Sequence, residues 1–317
     1  MKGGEVIKSQ IFKVKEFSIF IVLVVMCIII GFLTPYFFTV SNIFNVLRQI
    51  SVIAILAVGE ALIIITSGID LSVGNVLGLC GVVLAVLAGL GLSPIVLFIL
   101  TIAFGCFIGL INGFLVAKVK INPFIVTLGM MSIARGIALL ITGGMPIAIK
   151  NGINYLGGGY IGPIPFPVII MFIIVLIGIV FTKKFLVGRN IYAVGSNERA
   201  AKLSGIPVDF TKMIVYIITG GLCALAGIIL SGTLNNASPA SGQGYELDVV
   251  AAVVIGGASL SGGEGTIIGA LLGAAIMGVL RNAFVLVGVS AYWQIVTIGL
   301  VIIAAVAIDS IKNLKNE

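Results

Sequence analysis

Read for hydrophobicity, the chain is a succession of long apolar runs separated by short polar breaks. A helix crossing the hydrocarbon core of a bilayer takes about 20 apolar residues. On that ruler the runs fall at 17–34, 46–66, 71–91, 94–116, 122–142, 166–182, 211–231, 247–259, 266–288 and 292–309. The eighth is too short to cross and reads as a half-helix, or as the partner of a broken neighbour. The pattern predicts an all-α polytopic transmembrane helix bundle of about ten helices, in a single domain covering 1–317. The first run, Phe17 to Leu33, follows Lys2, Lys8, Lys13 and Lys15 and ends at Thr34-Pro35-Tyr36. It is longer than a secretory h-region and lacks a small-x-small cleavage site, so it reads as a retained first span.

Composition agrees. Hydrophobic residues make up 60% and charged residues 9%, against roughly 25% charged in soluble domains. The solvent around most of the chain is therefore lipid. The 42 glycines fit close helix packing in a membrane. With the N-terminus inside, the interior segments hold Lys2, Lys8, Lys13, Lys15, Lys118, Lys120, Lys183, Lys184, Arg189, Arg199, Lys202, Lys212, Lys312 and Lys315. Only Lys150 falls in an outside connection, while Arg48, Arg135 and Arg281 sit in or near spans. The bias of basic residues to the cytoplasmic side then puts both termini inside. It also accounts for the net charge of +7 without nucleic acid, since no basic stripe carries interleaved aromatics.

Two connections are longer than the rest. The outside stretch 143–165 contains Gly157-Gly158-Gly159, Pro146, Pro163 and Pro165; the inside stretch 183–211 is charged and predicts a short amphipathic helix. There is also an internal echo. Residues 67–73 (SGIDLSV) resemble 261–267 (SGGEGTI), and Gly74 and Gly78 after the first match Gly269 and Gly273 after the second. Duplicated halves are common in transporters, with chance similarity between two Gly-rich spans the competing account.

Most catalytic chemistry is excluded. The chain has no histidine, and Cys27, Cys80, Cys106 and Cys223 each lie in an apolar run without metal-ligand spacing. No cofactor or metal site is expected. No G-x-x-x-x-G-K-[ST] loop is present, so the chain hydrolyses no ATP by that route. Charges at lipid depth need a reason. Glu60 and Asp70 read either as pathway residues or, for Asp70 beside Ser72, as the cap of the following helix. Arg135 and Arg281 are expected to face the bundle interior, where they could pair with Glu60, Asp248 or a carbonyl. The segment 231–248 (SGTLNNASPASGQGYELD) is rich in hydroxyls and amides and has no basic cluster. Asn235, Gln243, Tyr245, Glu246 and Asp248, with Asp70, are its candidate translocation-pathway residues for a neutral polyol. A plain polar loop is the alternative.

In the inside connection, Ala200-Ala201 and the later Gly205 predict a short helix with a small face and a glycine stop. Such a helix suits a groove on a cytoplasmic partner. Here the chain resembles the membrane subunits of ABC sugar importers, the ribose permeases most of all. The resemblance rests on Ala57-Val58-Gly59, TSGIDLSVG at 66–74, GRNIYAVGSNERAAKLSG at 188–205, GYELDVVAAVVIGG at 244–257 and SLSGG at 259–263. It runs nearly end to end and is weakest in the first span and at 143–165. Glu198, Ala200, Ala201 and Gly205 fall in what looks like the family's ATPase-coupling loop. The glutamate sits one place earlier than in the usual Glu-Ala-Ala form.

The resemblance implies a homodimeric permease in the cell membrane. It also implies a cytoplasmic ABC ATPase subunit that hydrolyses the ATP and an extracytoplasmic sugar-binding protein that selects the sugar. From the residues alone, an ion-coupled secondary transporter of small polar solutes is the alternative. The docking helix argues against it, since a self-powered carrier needs none.

Overall fold

The computed structural model describes the backbone of residues 2–314 and the side chains of 16–304, 306 and 307. The basic residues counted at 2, 8, 13, 15 and 312 lie outside the described side chains, and Lys315 lies outside the described residues altogether. In chain order the helices are α1 (Lys2–Leu33), α2 (Val40–Ile65), α3 (Val73–Gly89), α4 (Pro94–Ala117), α5 (Pro123–Thr142) and α6 (Tyr155–Gly158). They continue with α7 (Phe166–Lys184), α8 (Leu186–Ser196), α9 (Glu198–Leu203), α10 (Val208–Leu234), α11 (Tyr245–Ile255), α12 (Ile267–Val287) and α13 (Ala291–Leu314). Four two-residue strands, β1 (Ile147–Ala148), β2 (Tyr160–Ile161), β3 (Ile164–Pro165) and β4 (Asn236–Ala237), pair β1 with β4 and β2 with β3. The chain is an all-α polytopic membrane protein.

Among the described residues seven helices are long and apolar enough to cross a membrane: α1 over Glu16–Leu33, α2, α4, α5, α7, α10 and α12. The core sits on α2, which is buried throughout from Ile50 to Ile65, whereas within Glu16–Leu33 of α1 only Ile30 is buried. The most extensive packing joins α4 to α10. Gly105, Gly109 and Gly113 of α4 form a stripe with a four-residue period. They lie against Gly220, Tyr216 and Met213 of α10, so that backbone meets backbone. The opposite face of α4 carries Phe107 and Phe114, both more than half exposed and suited to lipid.

The connections separate to two ends, as alternating spans require. At one end Ser67 Oγ donates to the carbonyls of Gly195 and Ser261 at 3.0 Å each, and Gly263 N–H donates to Ile65 O at 2.9 Å. The two echo segments thus touch. Lys120 bonds Asp209 there at 2.6 Å. At the other end β1 pairs with β4, Ile149 N–H donates to Asn235 O, and Asn151 Nδ2 donates to Leu92 O. Lys118, Lys120, Lys183, Lys184, Arg189, Arg199, Lys202 and Lys212 belong to the first end and Lys150 to the second.

Two breaks bring helix starts into the interior. After α2 the chain doubles back, and Asp70 N–H donates to Glu60 Oε1 at 3.1 Å, more than a turn up α2 from its end. Helix α3 therefore starts at depth. On the other side, residues 238–244 run down beside α3: a Cβ on Gly74 would strike Gly242 O, and one on Gly78 would strike Ser241 O. Helix α11 starts there too, and its 11 residues span only about 16 Å at 1.5 Å per residue. That is the half-helix expected over 247–259, and it falls well short of the ~30 Å hydrocarbon core.

Candidate functional site

Two places gather the residues that the sequence singles out. The first is α9, in the charged connection. The single short helix expected there is two helices, broken at Asn197, whose backbone is extended (φ −162°) and whose side chain accepts from Ala200 N at 2.9 Å. This cap starts α9. Its end is set by Gly205 at φ +78°, a left-handed position that only glycine adopts freely. Gly205 N–H donates to Lys202 O at 3.1 Å and Ile206 N–H to Ala201 O at 3.0 Å, a Schellman closure. Ala201 is buried with Val194, Val208 and Ile206. It anchors α9 on its own subunit rather than facing away. Glu198 does the same electrostatically: Lys212 Nζ donates to its Oε2 at 2.6 Å, and Lys120 Nζ lies 4.0 Å from its Oε1. The hydrogen bond from Lys212, assisted by the charges of Lys212 and Lys120 against partial desolvation, holds the Glu198 carboxyl below the usual carboxylate range. What α9 presents outward is Arg199, Ala200, Lys202 and, above all, Leu203, which is 91% exposed at the tip. Sequence reasoning missed Leu203. A large apolar residue next to the glycine stop, in an otherwise charged stretch, was the available signal.

The second place is a cavity of about 520 Å³ at the start of α11. Gln243, Glu246 and Asp248 line it, together with Arg281 of α12 and Gln294 of α13. Asp248 is fully buried, and its Oδ2 lies 2.5 Å from Arg281 Nη2. Tyr245 lies beneath that guanidinium, 5.9 Å from ring centroid to Cζ. Of the options open to Arg281, Asp248 is the partner. Glu246 turns back and accepts from Gly244 N at 3.2 Å, which stiffens the helix start.

The other two pathway candidates lie elsewhere. Asp70 is buried on the far side of α3, accepting from Ser72 N at 2.8 Å and Ser72 Oγ at 2.5 Å. Asn112 Nδ2 donates in turn to Ser72 Oγ. Asp70 therefore organises the entry to α3 from two residues ahead of its cap. Asn235 ends α10 in a left-handed conformation (φ 53°), and its Oδ1 accepts from Asn154 Nδ2 at 2.9 Å. Arg135 is exposed in the single chain, because Met130, Ala134 and Ala138 form the buried face of α5 and residue 135 lies about 100° round from 134; its charge nonetheless reaches Glu246 at the head of α11. Among the described residues no group of three metal-ligating side chains comes together.

Comparison with known proteins gives the family. Residues 42–306 match the family described as the branched-chain amino acid transport system permease component. The ribose import permease protein of Escherichia coli K12 is 45% identical over 92% of this chain and 93% of its own. That of Bacillus subtilis 168 is 43% identical over 93% and 92%. The galactose/methyl galactoside import permease protein of Escherichia coli K12 is 38% identical over 98% of each chain. No solved structure matches. A match of this length, with relatives aligned almost end to end on a polytopic helix bundle, means that this protein belongs to that family of transport-system permease components, among the sugar import permeases.

Proposed function

We propose that the chain is the membrane-spanning subunit of an ABC importer that carries a monosaccharide, ribose before others. It works as a homodimer in the cell membrane, with both termini cytoplasmic. An ATPase subunit docks at the end that holds α9, and a sugar-binding protein docks at the opposite end. The ribose-import relatives support the substrate. The segregation of basic side chains to the α9 end supports the orientation. Nothing in this chain hydrolyses ATP; the partner does.

The observation that carries the reading is the construction of α9. A six-residue helix is fixed to its own bundle by Ala201 and by Glu198–Lys212, yet it exposes Leu203 to the aqueous side. A helix pinned at its back, with an exposed leucine among charged neighbours at its front, can transmit force between two bodies. Glu198, Ala201 and Gly205 set its position, while Ala200 and Leu203 meet the ATPase. The sugar passes beside the polar segment 235–248, where uncharged hydrogen-bonding groups enter the membrane.

The test is reconstitution in liposomes with the ATPase and binding protein. Leu203→Asp is expected to lower sugar-stimulated ATP hydrolysis and uptake together by tenfold or more, with insertion and dimerisation intact. Wild-type rates for both would refute α9 as the coupling element. An impermeant thiol reagent should label a cysteine at position 196 only from the cytoplasmic side; labelling from outside refutes the orientation.

A further inference from the structure

Helix α7 ends in basic side chains that nothing in the bundle uses. Ile173, Ile177 and Val180 lie on one face of it, with Phe172 and Leu176 beside them, and all five are exposed. Continued by one turn, that face carries Lys184 and Lys183. The 19 residues of α7 span about 28 Å at 1.5 Å per residue, close to the ~30 Å thickness of the hydrocarbon core. Both ammonium groups therefore stand at the depth of the lipid headgroups, on a side of the bundle open to lipid.

The chain then turns sharply into α8. A Cβ on Gly188 would strike Phe181 O, and one on Gly195 would strike Ile65 O, so α8 is pressed against the bundle near both its ends. At the turn itself Phe185 and Leu186 are more than half exposed, and Arg189 is exposed one turn on. Three cations thus surround two apolar side chains. Other basic residues of this end are engaged or lie elsewhere: Lys118 and Lys120 pair with Asp209, Lys212 pairs with Glu198, and Arg199 and Lys202 belong to α9. The side chains of Lys183, Lys184 and Arg189 have no hydrogen bond or ion pair with any described residue. The helix dipole accounts for lysines in the last turn of α7, but Arg189 lies in the first turn of α8, where the dipole disfavours a cation.

We propose that this elbow holds an anionic phospholipid, with Lys183, Lys184 and Arg189 around the headgroup phosphate and Phe185 and Leu186 among the upper acyl carbons. Lysine and arginine both suit phosphate. Basic side chains next to an anionic leaflet are drawn to it, and apolar residues interleaved with them are the make-up of an interfacial segment. An acidic patch on a protein partner would match the charges but leave the exposed Phe185 and Leu186 without a counterpart. A lipid held here braces α8 from the membrane side, and α8 leads directly through Asn197 into α9. The assignment is independent of what the permease carries.

The experiment reads lipid selectivity at the elbow, with the full chain in phosphatidylcholine vesicles. Trp293, at the opposite end of the bundle, is the single tryptophan, so Phe185→Trp with Trp293→Phe moves the probe to the patch. Brominated phosphatidylglycerol should quench position 185 at least about twofold more than brominated phosphatidylcholine at equal mole fraction. That excess should shrink as the Debye length falls from about 10 Å at 0.1 M salt to about 3 Å at 1 M. Lys183→Gln, Lys184→Gln and Arg189→Gln together, all at exposed positions, should abolish it. Trp293 in the wild-type chain should show no such preference. Equal quenching by the two lipids at position 185 overturns the proposal, as does an equal excess at Trp293. An excess that survives in the triple variant, while the ATPase subunit no longer co-purifies, would assign the cluster to a protein contact instead.

Discussion

Replacing Gly109 with alanine should loosen the largest helix contact in the molecule. A Cβ at that position would overlap the Tyr216 carbonyl oxygen, and it would lie 2.9 Å from the carbonyl carbon and 3.0 Å from Ile217 Cα. Carbon contacts are favourable from about 3.5 Å outward, so the methyl group sits roughly 0.6 Å too close to the carbonyl carbon alone. Every one of these atoms is backbone, which no rotamer change can move. The helices must part, and parting also strips the contacts of Gly105 with Gly220 one turn away. Overpacking of this kind costs about 1–3 kcal/mol. Up to about 1 kcal/mol is returned because alanine favours helix over glycine. From the middle of that cost, about 2 kcal/mol, a net loss of about 1–2 kcal/mol remains. Thermal unfolding of the purified permease in nanodiscs should show a drop of several degrees for Gly109→Ala. Gly136→Ala on α5, where a Cβ meets nothing within 4 Å, should show none. Equal midpoints for the two variants would refute the argument that α4 and α10 are held at backbone contact.

Other outcomes follow from polar contacts between helices. Asn42 and Asn282 exchange hydrogen bonds, Nδ2 to Oδ1, at 3.0 and 2.8 Å in a buried site. A double-mutant cycle to alanine should give a coupling energy of about 0.6–1.7 kcal/mol, and strict additivity would refute the pair. Because the folded state holds Glu198 below its ordinary value, that contact is fully present above the unfolded carboxylate pKa of about 4.3 and is lost as pH falls through the lower folded value. The protection factors of amides over 198–206 should hold from neutral pH to about pH 5, then fall in acid. Glu198→Gln should bring the exposed pattern to neutral pH; unaltered protection in that variant would dismiss the ion pair as an anchor.

Apolar length made the membrane helices legible, and it failed where polar groups are satisfied inside the bundle. Helix α2 begins at Val40, six residues before the expected start at 46, because Asn42 pairs with Asn282 and donates to Phe37 O while Thr39 caps the helix. Hydropathy counts those residues as breaks, although their partners lie hundreds of positions away. The eighth run is a half-helix of 11 residues, one of the two readings its length left open. The sides of α9 were not legible: six residues carry too little periodicity to tell which face turns inward, so Ala201 reads as a contact and Leu203 goes unnoticed. The pathway candidates divide for a related reason. Gln243, Glu246 and Asp248 are near one another in sequence and in space. Arg281 and Gln294 join them only through the packing of α12 and α13, which no local pattern encodes.

The burial of α2 has a consequence for how the protein is made. This helix packs against α7, α10, α11 and α12, every one of them synthesised after it. When it leaves the ribosome, Glu60 and its backbone neighbours have none of those partners, and the Ile65 carbonyl waits for the amide of Gly263, nearly two hundred residues downstream. The centre of the molecule is thus the part that stays unfinished longest. A chain truncated before α12 would leave the side of α2 that meets α12 without its partner. Assembly of this permease is therefore completed only with its C-terminal third.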